Sequence, residues 1–173
     1  MNKTLTKLVL LSVLFATLAS AATVYTLTAT VTTQATVPNI IFTTASDTSS
    51  IGGSVGLNGT TFTATAIPLG VGSNVTVQAA VSLTNTNASS ARSITGVSVL
   101  SEDFGSSLYQ LSIYANDGSR RLLLSIDTDG AVVYSFSGTL SMPASAVWPI
   151  IIEGCYDAGT VTTSNTIAFY IEQ

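Results

Sequence analysis

The stretch "LYQLSIYANDGSRRLLLSIDTDGAVVYSFSG", residues 108–138, decides the fold class. It reads as three β-type runs separated by two turn signals, Asn116-Asp117-Gly118 and Asp129-Gly130. Asn, Asp and Gly tolerate the positive φ that tight β-turns require, so both signals read as hairpin connections. Three strands joined by two hairpins make an antiparallel meander.

The same rhythm continues on both sides. Strands are expected over residues 39–44, 60–68, 75–84, 92–100, 107–115, 120–127, 131–140, 147–155 and 160–172. Polar and glycine-rich punctuation falls between them, as in "SDTSSIGGSVGLNG" (46–59), "LGVGSN" (69–74) and "TNTNASS" (84–90). No stretch carries a convincing amphipathic helical period. Ile167, Phe169 and Ile171 share one face of the last run and are expected in the core. No linker, charge block or internal repeat divides residues 38–173. The expectation is one all-β body, a jelly-roll-like two-sheet sandwich.

Composition narrows the setting. Hydrophobic residues make up 46% of the 173 and charged residues only 8%, where ordinary soluble domains carry about 25% charged residues. The polar surface must therefore rest on Thr and Ser hydroxyls. The one continuous apolar run, residues 8–18, follows Lys3 and Lys7 and precedes Ala19-Ser20-Ala21. That is the layout of a secretory signal peptide, too short in its apolar part to span a bilayer. Residues 1–21 are expected to be removed. Three basic residues (Arg92, Arg120 and Arg121) then face nine acids, a net charge of −6. Such a product has no electrostatic footprint for nucleic acid or an anionic membrane. Cys155 is the single cysteine, so no internal disulfide framework exists and the thiol reads as a small buried hydrophobe.

Candidate chemistry is sparse. The chain has no histidine, which removes the usual general base and the commonest zinc ligand. Gly52-Gly53-Ser54-Val55-Gly56 matches the hydrolase nucleophile pattern, but that elbow needs a strand-turn-helix setting and a histidine partner. Carboxylates cluster at Glu102-Asp103 and at Asp127 with Asp129. Two carboxylates across one cleft could serve a glycosidase, and the second pair could seed a calcium site. Turn chemistry accounts for the same residues more simply. No catalytic residue, metal or cofactor is expected. Three sequons, at Asn58, Asn74 and Asn87, fall in expected loops or strand starts and are glycosylation candidates.

Residues 22–37, "ATVYTLTATVTTQATV", carry the functional signal. Seven of these sixteen residues are threonine and none is charged. Read as a strand, they place Tyr25, Leu27, Ala29, Val31, Ala35 and Val37 on one largely apolar face. The opposite face carries Thr26, Thr28, Thr30, Thr32, Gln34 and Thr36. Extended, the run reaches about 50 Å, while a compact domain of this size is about 30 Å across. An apolar-faced strand leaving its domain is an aggregation hazard unless a groove receives it. Strand addition to a second copy supplies the groove, and repetition makes an open filament.

A signal peptide, a Thr/Val-rich strand and a charge-poor all-β body together resemble the TasA/camelysin-like filament proteins, and among them the archaeal bundling pilins. The resemblance implies a jelly-roll subunit whose N-terminal donor strand, here residues 22–37, inserts into the next subunit. It also implies extracellular, cell-surface pili that bundle in biofilms and serve adhesion, with other copies of the chain as the partner. The protease activity associated with camelysins lacks its ligands here. Two other readings stand beside this one: a type IV pilin-like subunit keeping its apolar segment as a helix, and a secreted carbohydrate-binding jelly roll using Glu102, Asp103, Asp127 or Asp129.

Overall fold

A computed structural model describes residues 38–104, 108–128, 131–157 and 165–173. The chain comprises two units, Met1–Ala35 and Thr36–Gln173, and all the described residues lie in the second. That unit is all-β. Among the described residues twelve strands follow in order: β1 (Ile40–Thr43), β2 (Ser54–Val55), β3 (Thr61–Ala64), β4 (Gly70–Val71), β5 (Val75–Asn85) and β6 (Arg92–Asp103). After these come β7 (Leu108–Ala115), β8 (Arg121–Asp127), β9 (Val132–Ser135), β10 (Ser137–Met142), β11 (Val147–Tyr156) and β12 (Thr166–Glu172).

They form two sheets. The larger runs β1-β5-β11-β7-β8-β9, with the short β4 added in parallel to the end of β11. The smaller runs β10-β6-β12-β3-β2. Every other ladder is antiparallel. The meander of residues 108–138 is β7, β8 and β9 side by side, as its turn signals require. Gly118 takes φ +102° in the first turn, and Asp129 and Gly130 of the second lie outside the described residues.

Inward-facing residues of both sheets build one core. Phe42 of the larger sheet meets Phe62 and Phe169 of the smaller, with ring centroids 6.0, 5.5 and 5.7 Å apart for the three pairs. Two of the contacts are edge-on, the arrangement aromatic quadrupoles favour. Ile167, Phe169 and Ile171 are buried, as their shared face predicts.

Three departures from the sequence reading have physical causes. The run expected over 131–140 is broken at Phe136, whose N–H donates to Leu123 on β8 while its carbonyl accepts from Val97 on β6. One continuous stretch therefore serves both sheets and closes that corner of the sandwich. The glycine-rich stretch 46–59 contributes more than a loop: Ile51 is fully buried and Ser54–Val55 pairs with β3. Finally, Gly70–Val71, read as turn, pairs with Cys155 and Tyr156.

Candidate functional site

The two edges of the larger sheet differ in how their backbone groups are satisfied. At the β1 edge, Ile40 N–H donates to Gln173 Oε1 at 2.9 Å, and Gln173 Nε2 donates to the Ile40 carbonyl at 2.5 Å. The side-chain amide thus pairs with Ile40 as a neighbouring peptide group would. Phe42 N–H donates to the Gly59 carbonyl at 2.6 Å. Gly59 fits there at φ +72°, where a Cβ would sit 2.7 Å from Ile41 Cβ. Where β5 extends past β1, Asp47 takes over. It exchanges bonds with Ala79, N–H to carbonyl at 3.1 Å and carboxylate from N–H at 3.0 Å. The buried Thr48 hydroxyl donates to the Ala80 carbonyl at 2.7 Å. This edge is sealed by its own chain, a common defence against unwanted strand pairing.

The opposite edge, β9, is open. All four of its residues are exposed, among them Val132 at 47%, Val133 at 59% and Tyr134 at 42%. It pairs with β8 on one side, and among the described residues no strand pairs with the other. Val133 is the extra residue at a bulge in this ladder, which pairs Tyr134 with Ser125 and Val132 with Ile126 and passes over Val133.

The smaller sheet has a matching opening. β10 covers β6 only over residues 92–96. Val97 N–H donates to Phe136 at 3.1 Å, and the Ser135 hydroxyl donates to the Val97 carbonyl. Beyond that point, among the described residues, β6 pairs with β12 alone. Leu100 sits at a bulge in this ladder and is 55% exposed. Val99 and Phe136, half-buried, pack on the core beside it.

The six apolar donor-face residues, Tyr25, Leu27, Ala29, Val31, Ala35 and Val37, lie outside the described residues. The sequon asparagines lie at the surface: Asn58 and Asn74 are exposed and Asn87 is half-buried. Asn58 occupies the β2–β3 tip beside the fully exposed Leu57. Asn74 Nδ2 donates to Glu153 at 3.2 Å, and Asn87 Oδ1 accepts from the backbone of Ser89 and Ser90, which folds its loop.

The candidate carboxylates are divided between the sheets. Glu102 and Asp103 end β6 and Asp127 ends β8, all exposed, while Asp129 lies outside the described residues. Asp127 accepts the N–H of Thr128 at 2.8 Å, a turn contact, and lines a shallow hollow with Tyr109, Gln110, Ser125 and Val133. Among the described residues no group of three or more His, Cys, Asp or Glu could hold a metal ion. Ser54 of the G-x-S-x-G pattern lies on the two-residue β2, which pairs with β3. Cys155 is buried, and burial, followed by the charge of Asp157, pushes its thiol pKa up.

The open edge itself was not legible from the sequence. The run "AVVYSFSGTL" (131–140) carries no signal that its first half would turn to one sheet and its second half to the other. No protein-family model matches the chain, and no curated protein matches it.

Proposed function

We propose that this chain is the structural subunit of an extracellular filament that grows head-to-tail, each copy donating residues 22–37 to the sheet of the next. The observation that carries the reading is the contrast between the two edges of the larger sheet. The edge formed by β1, the first strand after residue 37, is sealed by Gln173, Gly59 and Asp47. The edge at β9 is apolar and, among the described residues, open. A strand joined to a sealed edge needs a second copy to pair with, and a subunit with one donor and one distant acceptor propagates instead of closing. The resemblance to bundling pilins supports the same reading, with adhesion or biofilm bundling as the role, and export by the N-terminal signal peptide fits it.

The parity of the donor strand supplies the test. Leu27→Asp sets a charge against the groove wall, whereas Thr28→Asp sets one in solvent. Leu27→Asp is expected to raise the concentration at which the purified protein polymerises by about tenfold or more, with little effect from Thr28→Asp. Equal effects, followed by light scattering, would contradict the assignment.

A further inference from the structure

We infer that the acceptor is the wedge between β9 and residues 99–103 of β6, and that it takes residues 22–37 of a second copy as a strand bonded to both sheets. The inference rests on the strand-donation reading above and adds where the strand goes.

The geometry begins at Phe136. Ser137 lies opposite Gly96 in the β10–β6 ladder, and continuing that register would set Val133 opposite Leu100. The chain does not continue it. At Phe136 it turns to β8, so β9 joins the larger sheet while β6 stays in the smaller. From there the two edges diverge, and among the described residues neither has a ladder partner on the side that faces the other. Val97 N–H points toward Phe136, so alternation aims the groups of Val99 the same way, while on the other edge the β8 ladder passes over Val133. A strand inserted here would bond to Val133 on one side and Val99 on the other, closing the corner that Phe136 begins.

The occupant follows from chemistry and reach. Leu100 of β6 and Val132, Val133 and Tyr134 of β9 are large apolar residues left exposed on the two strands that border the wedge, and half-buried Val99 and Phe136 form its floor. A matching strand is apolar on the face toward that floor and polar on the other. Residues 22–37 have that pattern, with Tyr25, Leu27, Ala29 and Val31 on one side and threonines on the other. They are uncharged, so burying them in the wedge leaves no unpaired charge. The segment joins the body at β1, five strand spacings from β9 in the larger sheet, or about 24 Å. Folding back onto its own wedge would use about half of its ~50 Å length in crossing. A second copy can engage the whole segment.

The test uses the full secreted chain. Val133→Pro removes the N–H of the residue that the β8 ladder passes over, and bulges and edge strands accept proline. It is expected to leave cooperative unfolding intact and to reduce filament mass about tenfold or more. Wild-type assembly by this variant would overturn the inference. A benzophenone amino acid at Val133, irradiated in filaments grown from mixed isotopically light and heavy copies, gives an answer that does not depend on the proline variant folding. The expected product joins position 133 of one copy to a peptide within residues 22–37 of another. A cross-link to any other segment, or within one copy, would overturn the inference. Deleting residues 22–37 separates the two ideas. Filaments that survive the deletion sink strand donation itself; filaments lost by deletion, with position 133 cross-linked elsewhere, sink only the wedge.

Discussion

Asn85 is the residue whose loss should cost the body most for its size. It is 1% exposed, and its Nδ2 donates to the carbonyls of Ser90, Met142 and Pro143, at 3.1, 3.1 and 2.8 Å. Its Oδ1 accepts the N–H of Asn87 at 3.0 Å. One side chain thus ties the end of β5, the loop after it and the exit from β10. Asn85→Leu keeps comparable volume but orphans the buried Met142 carbonyl and the part-buried carbonyls of Ser90 and Pro143, and should destabilise by about 2–4 kcal/mol in urea titration. Asn87→Ala removes only exposed turn bonds and should cost under about 1 kcal/mol. Equal costs would mean that burial is not what sets the value of these amides. Sequence reading placed both residues in the polar stretch 84–90. Nothing in "TNTNASS" distinguishes the asparagine that turns inward, because its acceptors at 142 and 143 are more than fifty positions away.

At the scale of elements, the β7–β8 hairpin and the aromatic contact between sheets can be tested separately. In the hairpin, the Ser119 hydroxyl, bonded at 2.7 Å, is the main cause holding the Asp117 carboxyl below its ordinary pKa. Burial opposes the shift, while Arg121 at 3.1 Å and the Ser119 N–H add to it. A carboxyl with a depressed folded pKa contributes stability that is complete above its ordinary pKa and is lost as pH falls through the depressed value. Wild-type stability should therefore decline below about pH 4 more steeply than that of Asp117→Ala. Parallel pH profiles in thermal melts would contradict this. Between the sheets, Phe169→Ala removes the ring that meets both Phe42 and Phe62 edge-on. A loss of about 3–5 kcal/mol is expected, and one below about 1.5 kcal/mol would indicate that the core refills the space.

These elements also show what a linear pattern can carry. The hairpin was legible because its turn residues have local conformational preferences. So was the Ile167, Phe169 and Ile171 face, because strand alternation is local too. The short strands at Ser54–Val55 and Gly70–Val71 were not. Each is only two residues long and exists because a partner, β3 or β11, lies alongside. The sealing of β1 was equally hidden, since it depends on Gln173 returning to Ile40 across 133 positions.

For the whole molecule, the asymmetry between sealed and open edges is the central feature. Edge strands are ordinarily protected because their free backbone groups template further pairing. This sandwich protects one edge with three separate devices and leaves apolar residues at the other, a combination suited to one-directional growth. The candidate donor residues rest on parity in the sequence alone; the proposed acceptor required the fold, because it depends on the turn at Phe136, which bonds to both Leu123 and Val97. The most direct measurement is negative-stain microscopy of the purified protein beside the same protein lacking residues 22–37, both at matched concentration. The account predicts long filaments from the first and dispersed, folded single subunits from the second; filaments from both would contradict it.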